Sequence, residues 1–161
     1  MNKRSLDDDQ KFLAHTIELA VGNVKSGGGP FGAVVVSRGK IISEGTNLVT
    51  LTNDPTAHAE ITAIRKATEK LDSYSLEGCT IYSSTEPCPM CLGAIYWAGV
   101  KRLVFASSRA DAEKAGFQDA HIYRELDLEI DKRSILTQHV VLPGAGDEFI
   151  AWNNSEDKKN Y

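Results

Sequence analysis

Apolar residues recur every three or four positions along the first part of the chain. Phe12, Ile17 and Val24 follow this spacing within residues 7–25, and the spacing is that of an amphipathic helix. The acidic run at 7–9 stabilises a helix N-terminus through the helix dipole. A helix from Asp7 to about Lys25 is therefore predicted.

Glycine and proline at residues 27–30 end this helix, and extended structure is predicted to follow. The β-branched run at 33–36 is separated from Ile41 and Ile42 by the short polar turn 37–40. Two apolar runs flanking such a turn are typical of a β-hairpin.

A second helix is predicted after the segment 53–56, whose asparagine, aspartate, proline and threonine are typical of a helix start. Ile61, Ile64 and Leu71 continue with the helical period. This prediction places His58 and Glu60 in the first turn.

The next unit repeats the order of strand, turn and helix. A strand over 80–83 precedes a helix from about Pro89 to Ala98, which Gly99 ends. Cys88 and Cys91 then lie at the start of this helix.

Three further elements complete the prediction: a strand over 102–106, a last strand from Leu136 to Leu142, and a helical tail that contains Phe149 and Trp152. A helix, a hairpin and then alternating helices and strands indicate one α/β domain over residues 1–161. Its sheet is expected to be mixed, because the hairpin strands are antiparallel and the alternating units require parallel pairing. Helices are expected to cover both faces of the sheet.

Composition narrows the class of protein. The 161 residues are 42% apolar and 25% charged, which excludes a disordered chain. No apolar run reaches the roughly 20 residues that cross a bilayer, and no signal-peptide segment follows the N-terminus. A cytoplasmic protein without a membrane partner is expected.

Charge and cysteine content further restrict the class of protein. The net charge is −4, and the basic pairs are scattered rather than gathered in a stripe, which disfavours a nucleic-acid partner. Three cysteines are too few for a disulfide framework, so reduced, metal-bound or buried thiols are expected.

The candidate chemistry is a zinc site. Cys88 and Cys91 can offer two thiolates on one side of an ion, and His58 can supply a third ligand. A catalytic zinc site keeps its fourth position for water, whereas a structural site closes it with protein. The candidates for a fourth protein ligand are Cys79, His15, His121 and His139.

Glu60 lies two residues beyond His58, where a carboxylate can accept a proton from a water molecule at the metal. A His-x-Glu sequence followed by Pro-Cys-x-x-Cys is the known signature of zinc deaminases. A redox-active cysteine pair, half of a structural zinc site and a non-catalytic zinc-stabilised module are the alternatives.

Two segments carry a family resemblance. Residues 53–60 (NDPTAHAE) and 86–98 (EPCPMCLGAIYWA) resemble the cytidine deaminase-like superfamily. Within it, nearly the whole chain is similar to guanine deaminases, through residues 28–33 (GGPFGA), 92–97 (LGAIYW), 115–117 (AGF) followed by Asp119, and the terminal Tyr161.

The resemblance implies a three-layer α/β/α sandwich around a five-stranded sheet. It also implies a homodimer in which the C-terminal segment crosses to close the partner's active site. One Zn²⁺ per subunit, Glu60 as the catalytic residue and His58, Cys88 and Cys91 as ligands follow from the same resemblance.

The implied reaction is hydrolysis of guanine to xanthine and ammonia. The substrate-binding positions carried over by the resemblance are Asn47, Phe31, Ala59, Trp97, Asp119 and Tyr161. Guanosine, ammeline, cytosine and tRNA adenosine remain alternative substrates. Gln118 departs from the acidic residue usual before Asp119 in the family.

Overall fold

The computed structural model describes residues 6–160. The chain forms two compact units, one ending at Ala120 and the other beginning at His121. The elements of the first are α1 (Leu6–Lys25), β1 (Gly29–Ser37), β2 (Lys40–Asn47), α2 (Val49–Thr52), α3 (Ala59–Leu71), β3 (Cys79–Thr85), α4 (Pro89–Trp97), β4 (Arg102–Ser107) and α5 (Arg109–Lys114).

Within residues 6–160 the strands form one sheet of four strands in the order β2-β1-β3-β4. β1 is antiparallel to both β2 and β3, whereas β3 and β4 are parallel and joined through α4. The predicted mixed α/β sheet is confirmed. The predicted number of five strands is wrong, since the described residues contribute four.

Helices cover both faces of this sheet because successive side chains of a strand point to opposite sides. Val34 and Val36 pack with Phe12 of α1. Val35, between them, packs in the other core with residues of α3 and α4, including Ala63 and Ile95. The structure thus has the three predicted layers.

Glycine at position 45 lets α3 approach β2 closely. A Cβ atom at Gly45 would lie 2.1 Å from the carbonyl oxygen of Ala59 and 2.5 Å from the amide nitrogen of Ala63. The first turn of α3, which carries Glu60, is therefore held directly against the sheet.

A three-residue cluster joins α1 to the far edge of the sheet. The Tyr82 hydroxyl donates a 2.6 Å hydrogen bond to Asp9, and the Arg102 guanidinium donates to both Asp9 oxygens at 2.9 and 2.5 Å. Tyr82 has no exposed surface. The cluster connects elements that are 73 and 93 residues apart in sequence.

The remaining elements are α6 (Asp119–Asp127), a short 3₁₀ helix (Ile130–Lys132) and α7 (Asp147–Asn154). The helical tail is confirmed by α7, which contains Phe149 and Trp152. The predicted strand from Leu136 to Leu142 is wrong for the isolated chain, because a strand needs a partner edge and this segment pairs with no strand among residues 6–160.

None of the helices within residues 6–160 combines the length and the apolar composition that a membrane span requires.

Candidate metal centre and substrate cavity

The three predicted zinc ligands meet between the starts of two helices. His58 is the N-cap of α3 and Cys88 is the N-cap of α4, both with extended backbone, and Cys91 lies in the first turn of α4. Pro89 suits the first helical position because its φ is already fixed and it has no N–H to leave unpaired. Among residues 6–160 this is the one cluster that could hold a metal ion, with all ligand atoms within 4.8 Å.

The distances in this cluster fit tetrahedral zinc. His58 Nδ1 lies 3.6 Å from the Cys88 sulfur and 3.5 Å from the Cys91 sulfur. Zinc bonds of about 2.3 Å to sulfur and about 2.0 Å to nitrogen, at the tetrahedral angle, separate those atoms by about 3.5 Å. Two sulfurs and one imidazole nitrogen are also the donor set that zinc prefers.

The two thiols differ in acidity. A hydrogen bond from Cys91, with a further contribution from His58, lowers the pKa of Cys88 to about 4. The same contact with Cys88, together with burial, raises the pKa of Cys91. Cys88 is therefore a thiolate at neutral pH, which is the form that binds a metal cation.

Glu60 lies beside this cluster with its carboxylate almost fully enclosed. The side chain is only 5% exposed and accepts a 2.7 Å hydrogen bond from the Ser83 hydroxyl on β3. Burial raises the pKa of Glu60, and the bond from Ser83 opposes that rise. A carboxylate with a raised pKa is suited to taking up and returning a proton near neutral pH.

A cavity of about 510 Å³ opens next to the ligands and Glu60. This volume lies within the usual range for small-molecule sites. Residues from β1, the end of β2 and the segment before α6 contribute to its wall, which includes Phe31, Asn47, His58, Glu60, Glu86, Cys88, Phe117 and Asp119.

Two polar side chains in the wall are candidates for reading a heterocycle. Asn47 is 7% exposed, and its Oδ1 accepts a 3.3 Å hydrogen bond from the amide of Val49. Asp119 begins α6, and burial raises its pKa, with the negative charge of Cys88 adding to the effect. The wall therefore offers an amide and a carboxyl group on separate elements.

The apolar part of the wall is an aromatic pair. The rings of Phe31 and Phe117 meet edge to face, with centroids 4.7 Å apart and planes at 81°. This geometry is favourable for aromatic rings, and it fixes the orientation of Phe31. A flat ring system has an aromatic surface to pack against here.

Two predicted binding residues, Ala59 and Trp97, are not brought to the cavity wall by the structure. Ala59 is fully buried and belongs to the core, and Trp97 is 72% exposed, and neither is among the residues that line the cavity. Tyr161 lies outside the described residues.

None of the four candidates for a further ligand belongs to the metal cluster. Cys79 is buried in the core at the start of β3, and His15 bonds to Glu44 at 2.8 Å. His121 and His139 are exposed. The described residues thus supply three ligands, as expected for a site that leaves one position to a water molecule.

Sequence reasoning missed Ser83, Glu86 and Phe117. Ser83 lies in a strand that is buried at every position, and a buried serine signals a hydrogen-bond partner. Glu86 lines the cavity and accepts a 3.0 Å hydrogen bond from the Arg109 amide. Phe117 belongs to the AGF motif, and only the fold reveals its contact with Phe31.

Comparisons with known proteins agree with this site. The protein-family model of the cytidine and deoxycytidylate deaminase zinc-binding region matches residues 6–107 of this chain. A guanine deaminase from Bacillus subtilis is 51% identical over 153 residues, covering 94% of this chain and 98% of the relative. An X-ray structure of guanine deaminase from Bacillus subtilis superimposes with a TM-score of 0.93 over the same shares of the two chains.

More distant relatives match a shorter part of the chain. A guanine deaminase structure from Nitrosomonas europaea is 39% identical with a TM-score of 0.64, covering 67% of this chain and 63% of that one. A tRNA-specific adenosine deaminase from Haemophilus influenzae is 45% identical over 101 residues, covering 62% of this chain and 58% of the relative. The chain therefore belongs to the cytidine and deoxycytidylate deaminase family, and it matches a guanine deaminase of that family over nearly its whole length.

Proposed function

We propose that this protein hydrolyses guanine to xanthine and ammonia. The observation that carries the proposal is the buried Glu60 carboxylate beside a three-ligand zinc cluster at the wall of a cavity. The relative from Bacillus subtilis, which aligns with this chain over nearly the full length of both proteins, is a guanine deaminase.

His58, Cys88 and Cys91 would hold zinc, which when bound would act as a Lewis acid and lower the pKa of water from 15.7 to about 7. Glu60 accepts a first proton from the attacking water as the water oxygen bonds to C2 of guanine, and delivers it to ring N3. Glu60 then accepts a second proton from the new C2 hydroxyl and delivers it to the departing amine. The C2–N bond breaks, ammonia leaves, and the C2 oxygen remains in xanthine.

Residues of the wall hold the purine. Asn47 reads one edge of the base, Asp119 accepts hydrogen bonds from ring N–H groups, and Phe31 packs against the ring plane. Phe117 supports Phe31 through the edge-to-face contact. Ala59 has no exposed surface, so it is proposed to contribute through its place between His58 and Glu60 rather than through contact with the purine.

The charge of the residues that line the cavity favours a free purine base as substrate over a nucleic acid. The described residues that line the cavity include Glu60, Glu86 and Asp119 but no lysine or arginine. Recognition of an extruded RNA nucleotide would require cationic groups for its phosphates. An adenosine in tRNA is therefore the disfavoured substrate.

The active unit is proposed to be a single catalytic domain that works as a homodimer with an exchanged C-terminal segment. Leu136 and Val141, in the segment with the alternating pattern, are 87% and 74% exposed. In the first unit, the edge strand β4 leaves Phe105 42% exposed. Segment 136–142 of a second copy would add the fifth strand at β4.

Trp97 and Tyr161 are proposed to complete the cavity wall once the exchanged segment is in place. Trp97 is 72% exposed in the single chain, so it is available at the surface for such an arrangement. Sedimentation analysis is expected to show a dimer at micromolar concentration. A monomer with full activity would contradict the exchange.

A cytoplasmic location is part of the same proposal, supported by the three free thiols at Cys79, Cys88 and Cys91. Fractionation of cells that produce the protein is expected to recover it with cytoplasmic markers. Recovery in an oxidising compartment or with membranes would contradict this location.

Ammonia release tests the substrate assignment. Zinc-loaded protein is incubated with guanine, guanosine, cytosine, adenine, ammeline and an adenosine-containing tRNA anticodon stem. Guanine is expected to be turned over most efficiently. Activity on the RNA alone would overturn the assignment. Absence of turnover with zinc bound would also contradict it, and would favour an amino-heterocycle outside the panel or a non-catalytic module.

A further inference from the structure

Asn23, near the end of α1, connects three separate parts of the first unit. The side chain is 8% exposed, and its amide nitrogen donates to the carbonyl oxygens of Gly29 at 2.8 Å and Asn47 at 2.7 Å. An amide nitrogen carries two hydrogens, so both are used. One side chain thus ties a helix to the first residue of β1 and the last residue of β2.

The glycine loop after α1 is packed around this amide. The main-chain carbonyl of Asn23 accepts from the amides of Ser26 at 3.0 Å and Gly28 at 2.9 Å. A Cβ atom at Gly28 would lie 2.4 Å from Asn23 Nδ2, and one at Gly29 would lie 2.8 Å from Asn47 Cγ. Glycine is required at both positions for the two asparagine side chains to fit.

The sheet alone holds this region weakly. Gly29 pairs with Asn47, but the register between β1 and β2 shifts between Gly29 and Gly32, where pairing with Thr46 resumes. A pair beyond such an irregularity is separated from the regular ladder. The two bonds from Asn23 join Gly29 and Asn47 at the point where the ladder is interrupted.

Both carbonyls held by Asn23 belong to residues of the substrate cavity. Gly28, Gly29 and Asn47 line it, whereas Asn23 does not. We infer that Asn23 is a positioning residue that sets the place of Asn47 and of the glycine loop, and thereby the affinity for the purine. This inference rests on the proposed function and assigns Asn23 no contact with the substrate.

An aspartate at position 23 is the sharpest test, because it keeps the shape of the side chain. One carboxylate oxygen would take the place of Nδ2 and face the carbonyl oxygens of Gly29 and Asn47, so an acceptor would replace the two N–H donors. Asn23→Asp is combined with Asn47→Ala in a double-mutant cycle, and kcat and KM for guanine are measured for zinc-loaded proteins. Ser26→Ala, at an exposed side chain of the same helix end, is the matched control.

If Asn23 acts through Asn47, Asn23→Asp should raise KM about tenfold in the parent protein, with a smaller change in kcat. In the Asn47→Ala background, the same substitution should change kcat/KM less than about twofold. Equal losses in both backgrounds, or no loss in the parent, would overturn the inference. Asn23→Ala, which removes the donors without adding acceptors, is measured in the same cycle in case the aspartate variant does not fold.

Hydrogen exchange separates this inference from the proposed function. The backbone amides of Gly27, Gly28, Gly29, Phe31, Gly32 and residues 47–51 are expected to exchange at least about tenfold faster in Asn23→Asp than in Ser26→Ala. Zinc content should be unchanged. Faster exchange in a protein that does not turn over guanine would refute the substrate and support the positioning role. Unchanged exchange would refute the positioning role whatever the substrate.

Discussion

The Ser83 hydroxyl donates a 2.7 Å hydrogen bond to the Glu60 carboxylate, and both side chains are at least 95% buried. Ser83 belongs to β3 and Glu60 to the first turn of α3, so the bond fixes the proposed proton carrier against the sheet. A carboxylate in so enclosed a place can direct its second oxygen toward a water at the metal.

Replacing Glu60 by glutamine is expected to abolish most of the activity. Glutamine keeps the size of the side chain but cannot accept and return a proton, so kcat should fall by roughly a hundred- to ten-thousand-fold. Steady-state kinetics with metal analysis checks this, since zinc content should not change.

Glu69→Gln is the matched control, because Glu69 is an exposed carboxylate on the same helix. It should retain full activity. A Glu60→Gln protein with near-normal kcat would remove Glu60 from the proposed role.

Ser83→Ala should lower kcat about tenfold with little change in KM. The variant leaves the buried carboxylate without its hydroxyl partner, at a cost of about 1–3 kcal/mol. Ser83→Thr keeps a hydroxyl and is expected to recover most of the loss. Equal kcat values for the alanine variant and the parent protein would show that the hydrogen bond has no part in turnover.

Removal of zinc should expose a reactive thiol at Cys88. Cys88 lines the cavity, while Cys91 has no exposed surface and Cys79 lies in the core. A thiol reagent is expected to modify Cys88 only after a chelator is added. In a chelated sample that receives no reagent, activity should return when zinc is restored. Rapid modification of the zinc-loaded protein would instead favour a redox role for the cysteine pair.

Asp9→Asn is expected to destabilise the fold without affecting zinc binding. The change weakens the charged hydrogen bonds from Arg102 and the bond from Tyr82, which together should lower the free energy of unfolding by about 1–3 kcal/mol. Thermal unfolding measures the effect, with exposed Asp7→Asn as the control for charge at the same helix end. Equal midpoints for the two variants would contradict this role of Asp9.

Deleting Tyr161 should lower turnover while zinc content and thermal midpoint stay unchanged. The proposal places this residue at the wall of the cavity in the dimer, where it would help to exclude water from the substrate. Kinetics of the truncated chain beside the full chain check the prediction. Full activity after truncation would remove Tyr161 from the site.

The periodic parts of the fold could be predicted from sequence because each buries its own apolar face. The long helix α1, the β1–β2 hairpin and the helix start that carries His58 are of this kind. Segment 136–142 has the alternation of a strand but no paired edge in the single chain. The alternating pattern of a segment indicates that it can form a strand, but it does not determine which strand it pairs with.

The metal ligands could also be predicted, since their spacing places them at helix starts. Asn23 and Ser83 could not, because their hydrogen bonds to Asn47 and Glu60 join segments that are distant in sequence. Trp97 is the opposite case. It lies in a motif that resembles the family, but its side chain is exposed, and a sequence motif does not determine whether a side chain reaches the cavity.

In the proposed reaction, an oxygen from water replaces the C2 amine of guanine. Incubating zinc-loaded protein with guanine in ¹⁸O-labelled water and analysing the product by mass spectrometry tests this directly. The expected product is xanthine with one labelled oxygen at C2, together with one equivalent of ammonia. Unchanged guanine, or xanthine without the label, would contradict it.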